Sequence, residues 1–327
     1  MREMSLRSIR EPVNIRVASK TKATESMDRS KGVASEIWLP SANKKTLQQR
    51  AKLMAAIREF FTKRNVLEVD TPVLATTSVT DSNIDSISAW VNNVECYLQT
   101  SPEYFMKRLL AAGIGDIFSM GKVFRDGEVG PRHNPEFTLL EWYRLDWDEQ
   151  QLMSEVGELV SSLFNSQGQT LPDMNRLSYE DCFSEVFNIN PHRCQLKDLQ
   201  TLATGIGSEC WAGETRANCL DLLFSQRVEP QLPHGLVFVY DYPVCQAALA
   251  ATKFTDDGQQ VSRRFEGFLD GVELANGYFE LTDAEELKRR FEADNRSRFS
   301  MNKNQMPLDK HFESAMMAGL PQCSGVA

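Results

Sequence analysis

Residues 123–143 read VFRDGEVGPRHNPEFTLLEWY, and this stretch decides the fold prediction. Two apolar segments flank a loop of glycine, proline and polar residues, a pattern that predicts an antiparallel hairpin. Phe137, Leu139 and Tyr143 share one face of the second strand, because side chains alternate along a strand. Arginine can both bind phosphate and stack on a planar base. Because Arg125 follows the first strand directly, we favour a site for an anion and a base over a loop that is merely solvated. The far side of the loop carries Arg132, His133 and Asn134.

The same stretch resembles motif 2 of the class II aminoacyl-tRNA synthetases, and its tail from His133 to Tyr143 is similar to the lysine branch of that family. The resemblance covers residues 41–327. It implies an α+β fold with an antiparallel sheet flanked by helices, and ATP and Mg²⁺ as cofactors. It also implies that Arg125 contacts the α-phosphate of ATP and acts in catalysis, with Asp126 and Asn134 at the nucleotide.

Composition limits the function classes. The chain has 327 residues, a net charge of −9 and a pI near 5.2, which weighs against a large nucleic-acid footprint. Seven cysteines without a Cys-x-x-Cys pair, and only four histidines, indicate neither a zinc site nor a disulfide framework. No apolar run approaches the ~20 residues that span a bilayer. A cytoplasmic protein without membrane contact is therefore expected.

The first 40 residues differ from the rest. Residues 1–35 hold eight Lys or Arg against four Asp or Glu and have no apolar period. We expect residues 1–40 to be a disordered tail, or a spurious one if Met27 is the true start. A transit peptide fits less well because of the acidic residues. Residues 41–327 are predicted to form the catalytic domain.

Three local patterns predict further elements. Leu47, Ala51, Met54, Ile57 and Phe61 recur at helical spacing, and residues 66–71 read as a strand that ends at a proline. This helix and strand resemble motif 1, which implies a homodimer. Residues 101–110 read as a helix capped by a serine with proline in its first turn. The pattern of residues 150–230 predicts helices that cover one side of the site. Residues 238–243 are predicted to form a core strand.

Asp270-Gly271 predicts a two-residue hairpin turn that pairs Phe268 with Glu273. Glu266 would then lie on the face of Glu273, one diagonal step away, at roughly 7–8 Å between backbones. Two such carboxylates suit Mg²⁺ with bound phosphate, whereas the alternative is a pair of solvated surface acids.

The run from Glu273 to Glu280 resembles the lysine-branch signature. By this resemblance, Glu266 and Glu273 carry Mg²⁺, and Glu273 with Leu274 meets ATP. The amino-acid substrate would be held by five residues, with Glu280 facing its distal ammonium group. These five are Ser101, Pro102, Glu103, Tyr143 and Glu280.

Within the lysine branch, the sequence resembles two groups: the lysyl-tRNA synthetases, and a paralogous group that ligates (R)-β-lysine to a lysine of elongation factor P. No anticodon-binding fold precedes motif 1, Ser101 stands where the synthetases have alanine, and Ala327 stands where they have glycine. One added methyl group is worth about 1–3 kcal/mol of discrimination. These features favour the paralogous group, with elongation factor P and (R)-β-lysine as partners and no stable tRNA binding. A lysyl-tRNA synthetase-like enzyme without its anticodon domain and an inactive paralogue remain as alternatives.

Two departures from the family pattern bear on activity. Gly127 stands where the family has glutamate, and Glu128, one step on, is expected to face elsewhere and weaken the adenine contact. The sequence also stops at Ala327, before the arginine of motif 3, and loss of one such donor costs ~10²–10³ in rate. We therefore expect a partial or truncated sequence, with little or no activity in the chain as written.

Overall fold

The computed structural model describes residues 38–131, 133–171 and 173–327. Within them the chain forms eight α-helices and twelve strands. The helices are α1 Lys44–Thr62, α2 Glu103–Ala111, α3 Glu149–Ser166, α4 Tyr179–Phe187, α5 Leu196–Ile206, α6 Arg216–Leu223, α7 Ala284–Ser300 and α8 Lys310–Gly319. The strands are β1 Leu67–Glu68, β2 Leu74–Ala75, β3 Ser88–Val91, β4 Val94–Leu98, β5 Ile117–Phe124, β6 Glu136–Leu145, β7 Met174–Ser178, β8 Leu236–Tyr242, β9 Thr252–Phe254, β10 Gln260–Leu269, β11 Val272–Phe279 and β12 Cys323–Val326.

A nine-stranded sheet organises the described part of the molecule, in the order β1-β5-β6-β12-β11-β10-β8-β7, with β9 added to β10. The pairs β1–β5 and β7–β8 are parallel, and the pairs between them are antiparallel. The α+β fold with a largely antiparallel sheet and flanking helices is thus confirmed. No described helix is long and apolar enough to cross a membrane.

The elements predicted near the amino terminus are present with different bounds. The Asn43 side chain accepts a hydrogen bond from the Thr46 N–H at 2.9 Å and so starts α1 before the first periodic residue, Leu47. Asn65 adopts a left-handed φ of 57° just past the end of α1. The strand predicted over residues 66–71 is regular only in β1. Most of the predicted tail, residues 1–37, lies outside the described residues.

The first hairpin forms as predicted. β5 and β6 pair in antiparallel fashion from Ile117 opposite Tyr143 to Phe124 opposite Glu136. The predicted core strand over residues 238–243 is β8, and α3 to α6 occupy the region where helices were expected.

The second hairpin confirms the Asp270-Gly271 turn, where both residues have positive φ, and the pairing of Phe268 with Glu273. The predicted register is wrong beyond that point. The ladder shifts between Gly267 and Phe268, so that Gly267 lies opposite Ala275 and Glu266 opposite Asn276. Leu274 is the extra residue of this β-bulge.

Three hydrophobic clusters show how the helices cover the sheet. Phe118, Trp142 and Val326 point to one face, where they form a cluster with residues of α1 and α3. Their neighbours Ile117, Tyr143 and Cys323 point to the other face, toward α2, α7 and α8. Val237, Val239 and Phe268 meet α4 and α6 at the far end of the sheet. The middle of this second face lies between the two helix groups.

Candidate active site

The site lies on the sheet face that carries α2. Tyr143, Gly325 and Tyr278 stand side by side on β6, β12 and β11, so they share this face. A Cβ atom at Gly325 would come within 2.3 Å of Tyr143 Cε1 and 2.5 Å of Glu280 Oε1. Glycine at this position therefore leaves room for the Tyr143 ring and the Glu280 carboxylate above β12.

Ser101 connects the start of α2 to this face. Its hydroxyl accepts a hydrogen bond from the Glu103 N–H at 3.1 Å and donates one to Glu141 Oε2 at 2.6 Å. The sequence placed Pro102 in the first turn of the helix, but the structure places it just before Glu103, the first helical residue. The predicted cap is therefore wrong by one residue, because Pro102 takes the N-cap position, and the Ser101 hydroxyl instead joins the Glu103 N–H to an acid of the sheet.

Three carboxylates and one ammonium group lie close together next to Ser101. The Lys107 Nζ atom lies 2.6 Å from Glu103 Oε1 and 2.6 Å from Glu280 Oε2. The third acid, Glu141, accepts a hydrogen bond from the Tyr143 hydroxyl at 2.7 Å. Lys107 and Glu280 are each 1% exposed and Glu141 is 3% exposed. When all four groups are ionised the cluster carries two net negative charges, which a ligand with two ammonium groups would neutralise.

The excess of carboxylates changes the protonation of this cluster. Burial, followed by the charge of Glu103, raises the pKa of Glu141 to about 7, and the hydrogen bonds from Ser101 and Tyr143 oppose the change. Burial also raises the pKa of Glu280, and Lys107 opposes it. A cationic ligand would stabilise both carboxylates in their charged form.

Arg125 follows β5 at the mouth of the site. Its backbone N–H donates to the Pro135 carbonyl at 2.9 Å, and its side-chain Nε donates to the Thr100 carbonyl at 3.3 Å. The guanidinium lies 5.1 Å from the centre of the Phe137 ring, on the face that the period-two rule gave to Phe137. A guanidinium is a donor group suited to an anion, and Phe137 offers a surface for a planar base.

The loop beyond Arg125 bears on three sequence expectations. Gly127 has a left-handed φ of 77°. This turn brings a Glu128 carboxylate oxygen to 3.7 Å from Arg125 Nη1. The expectation that Glu128 faces elsewhere is therefore wrong, because its side chain is directed toward Arg125. The Asp126 carboxylate accepts the Gly127 N–H at 2.9 Å, which indicates a role in shaping the loop. Asn134 is exposed in the loop. Arg132 lies outside the described residues.

The bulge in the second hairpin decides which side chains of β11 face the site. Glu273 lies opposite Phe268, whereas Asn276 lies opposite Glu266 and Tyr278 opposite Arg264. Without the bulge, Glu273 would point to the face opposite that of Asn276 and Tyr278, because it is an odd number of positions away from each of them. Leu274 is half exposed at the bulge itself.

Glu266 and Glu273 are the predicted metal ligands, and both line one cavity. Glu266 accepts hydrogen bonds from the Tyr242 hydroxyl at 2.6 Å and from Asn276 Nδ2 at 3.4 Å, and it also pairs with Arg264. Desolvation by the surrounding protein is the largest cause that raises the pKa of Glu273, and the charge of Glu266 is the second. Part of the Glu273 side chain is nevertheless exposed to solvent.

The described residues contain no group of three or more His, Cys, Asp or Glu side chains that could hold a metal ion. Two carboxylates together with substrate phosphates are nevertheless the donors that Mg²⁺ takes in nucleotide sites. A cation between Glu266 and Glu273 would also relieve their repulsion. The donor set therefore fits Mg²⁺ bound jointly with a nucleotide.

Three residues of the site escaped the sequence reasoning. Glu141 lies two positions before Tyr143 and so on the same strand face, a signal that was available in the sequence. Lys107 lies four residues after Glu103 on α2, a spacing that usually marks a surface ion pair. Asn276 faces the site only because of the bulge, which no local pattern announced.

Comparison with known proteins agrees with this geometry. The family described as "tRNA synthetases class II (D, K and N)" matches residues 37–327. The chain is 44% identical over 300 residues to a protein of Pseudoalteromonas translucida named "Elongation factor P--(R)-beta-lysine ligase". It is 41% identical over 299 residues to the protein of that name from Vibrio cholerae, and 42% identical over 301 residues to that from Proteus mirabilis. Each match covers 89% of this chain and 90% of the relative.

The family match spans all of the described residues, and it includes both hairpins and the strand that joins them. The chain belongs to the class II tRNA synthetase family, in the group of the D, K and N enzymes.

Proposed function

We propose that this protein activates (R)-β-lysine with ATP and transfers the activated acyl group to a lysine side chain of elongation factor P. The main support is the buried cluster of Glu103, Glu141, Glu280 and Lys107, whose two net negative charges match the two ammonium groups of a diamino acid. The relatives that carry the corresponding name support the choice of substrate and acceptor.

The first step forms an acyl-adenylate. A carboxylate oxygen of (R)-β-lysine attacks the α-phosphorus of ATP, the bond from that phosphorus to the bridging oxygen breaks, and pyrophosphate leaves with the electron pair. Arg125 would hold the α-phosphate and stabilise its developing charge. Asp126, Asn134 and Leu274 are proposed neighbours of the nucleotide.

Mg²⁺ held by Glu266 and Glu273 would neutralise phosphate charge in this step. At the amino acid, Glu103, Glu141 and Glu280 would bind the two ammonium groups, and Ser101, Pro102 and Tyr143 would fix their position. The second step joins the acyl carbon to the acceptor amine nitrogen. The acyl carbon–oxygen bond to the phosphate breaks, AMP leaves with the electron pair, and the nitrogen releases its proton to solvent. Both steps depend on positioning and need no covalent protein nucleophile.

The partners follow from this reaction. Elongation factor P is the acceptor, no stable tRNA complex is expected, and the reaction would take place in the cytoplasm. We also propose a homodimer through α1 and β1, since β1 is an edge strand and its Leu67 is 53% exposed. Sedimentation velocity should give a dimer for the parent protein and a monomer for Leu67→Glu. A monomeric parent protein at tens of micromolar would rule out this interface.

Intact-mass spectrometry tests the proposed function. The purified protein, in its full length, with ATP, Mg²⁺, (R)-β-lysine and elongation factor P should add one β-lysyl mass to the factor. Pyrophosphate exchange should be much faster with (R)-β-lysine than with α-lysine. Equal exchange with α-lysine together with transfer to tRNA would identify a lysyl-tRNA synthetase-like enzyme instead. No exchange with either amino acid would indicate an inactive paralogue.

A further inference from the structure

A cavity of about 370 Å³ borders the proposed nucleotide site at Glu266 and Glu273. One wall is the second hairpin, which contributes Arg264, Glu266 and Glu273. The opposite wall comes from α4, α6 and the turn after α6, the helices that follow the first hairpin in the chain. The cavity does not include Ser101, Glu103 or Glu280, so it is separate from the pocket proposed for the amino acid.

The lining of the cavity is acidic and aromatic. Among the described residues of the lining, the carboxylates of Asp221, Glu266 and Glu273 outnumber the one cation, Arg264, which is already paired with Glu266. This charge balance opposes a phosphate or another anion. The rings that line the cavity offer an apolar and π-rich surface, which suits a methylene chain that ends in a cation. These rings belong to Tyr179, Trp211, Phe224, Tyr242 and Phe268.

Two buried polar atoms of this lining lack a hydrogen bond of regular geometry. The Tyr179 side chain is fully buried, and its hydroxyl lies beside the Gln246 amide without such a bond. Gln246 is 8% exposed, and its Oε1 atom also lacks a partner, although its Nε2 atom donates to Asp221. Buried polar groups are nearly always satisfied in folded proteins, and a ligand that bonds to both atoms would complete their hydrogen bonding. An ammonium group donates three hydrogen bonds and would meet acceptors at Gln246, Asp221 and Tyr179.

We propose that this cavity receives the side chain of the acceptor lysine on the protein substrate, with its methylene groups along the aromatic wall and its amine toward Asp221 and Gln246. The amine binds as an ammonium group and gives one proton to Asp221, so that the neutral nitrogen can attack the acyl carbon and release its second proton to solvent. The inference rests on the proposed function and names the second substrate's place in it. Glu266 and Glu273 belong both to the cavity and to the proposed nucleotide site, so an amine that enters here lies next to the activated acyl group. A bare metal site fits less well, because no described group of three acids has ligand geometry.

The test separates adenylate formation from transfer. Asp221→Asn removes one charge at constant size, and Tyr179→Phe removes only the hydroxyl. In both variants the KM for elongation factor P should rise at least tenfold, whereas the KM values for ATP and (R)-β-lysine in pyrophosphate exchange should change less than twofold. Glu292→Gln, an exposed acid on α7, is the matched control and should alter neither half-reaction.

A second measurement uses the unmodified protein. Nα-acetyl-lysine methylamide, which mimics a lysine within a chain, should inhibit transfer competitively with elongation factor P and leave pyrophosphate exchange unchanged. This result decides the question even if a variant fails to fold. In a folded Asp221→Asn protein its inhibition constant should rise at least tenfold.

Three outcomes would overturn the inference. If the KM for elongation factor P stays within twofold of the parent value in both variants, the inference is overturned and the proposed function is unaffected. A raised KM for ATP would assign the cavity to the nucleotide, and inhibition that is not competitive with the factor would place the lysine elsewhere. Failure of the parent protein to modify elongation factor P at all would instead refute the proposed function.

Discussion

Lys107 and Glu280 form an ion pair that is almost completely shielded from solvent, with Nζ 2.6 Å from Oε2 and both side chains 1% exposed. The distal ammonium group of the substrate was expected to meet Glu280. The structure gives Glu280 a cation of its own, and it adds Glu103 and Glu141 to the same cluster. Lys107 therefore sets the net charge that the substrate meets, and the acids act as a group.

Lys107→Met should destabilise the protein, because removal of one partner from a buried ion pair typically costs ~3–5 kcal/mol. The loss should be largest above pH 7 and shrink at lower pH, where Glu141 and Glu280 are protonated and repel each other less. Thermal melts at pH 5 and pH 8 measure this difference. The double variant Lys107→Met/Glu280→Gln should recover part of the loss, whereas strict additivity would mean that the two groups are not coupled.

Glu280→Gln should raise the KM for (R)-β-lysine by roughly a hundredfold or more, since a loss of ~3–5 kcal/mol corresponds to at least two factors of ten. The KM for ATP should stay nearly unchanged. Steady-state pyrophosphate exchange with each substrate varied in turn gives both constants. If the KM for ATP rises and that for the amino acid does not, Glu280 belongs to the nucleotide site.

The pKa of Glu141, raised from 4.5 to about 7, predicts two pH effects. Binding of an ammonium group needs the charged carboxylate, so the KM for (R)-β-lysine should fall as the pH rises through about 7. Because the pKa is higher in the folded than in the unfolded state, the Glu141 carboxyl reduces stability as the pH rises from 4.5 to about 7. Glu141→Gln should therefore stabilise the free protein at pH 8, should have little effect at pH 4, and should remove the inflection near pH 7 from the KM profile.

The control for this pair of measurements is Glu158→Gln, since Glu158 is 61% exposed on α3. It should leave both pH profiles unchanged. A KM profile that keeps its inflection near pH 7 in Glu141→Gln would assign the titration to another group.

Arg125→Ala should slow adenylate formation by roughly 10²–10³, the usual effect of removing one preorganised donor to a developing charge. Single-turnover measurement with saturating ATP and (R)-β-lysine isolates this step. Lys122→Ala is the control on the same hairpin, because Lys122 is 53% exposed and pairs with Glu136 at the surface. Equal rates for the two variants would remove Arg125 from the phosphate site.

Local signals in the sequence predicted much of this fold. The alternation of apolar residues around the loop predicted the first hairpin, and Asp270-Gly271 predicted the second turn, because such dipeptides favour the positive φ values that the turn requires. The bulge at Leu274 could not be read in this way. It depends on how β10 and β11 pack within the whole sheet, and it decides that Asn276 and Tyr278 face the site.

The same contrast applies to the charged residues. Glu141 was within reach of sequence reasoning, since it shares a strand face with Tyr143. The burial of Lys107 was not, because the i,i+4 pair with Glu103 is also what an exposed helix shows. Only the tertiary contact with Glu280 distinguishes the two situations.

The position of β12 between β6 and β11 has a consequence for how the molecule assembles. Each hairpin can form from neighbouring residues, but the contact of Ser324 with Trp147 joins positions 177 residues apart. Such long-range pairing is slow compared with hairpin closure. Until β12 docks, the inner edges of β6 and β11 present unpaired backbone groups, which are templates for pairing with another chain. During synthesis on the ribosome, both hairpins are complete well before the strand that protects them, so this interval is when the protein is most prone to aggregate.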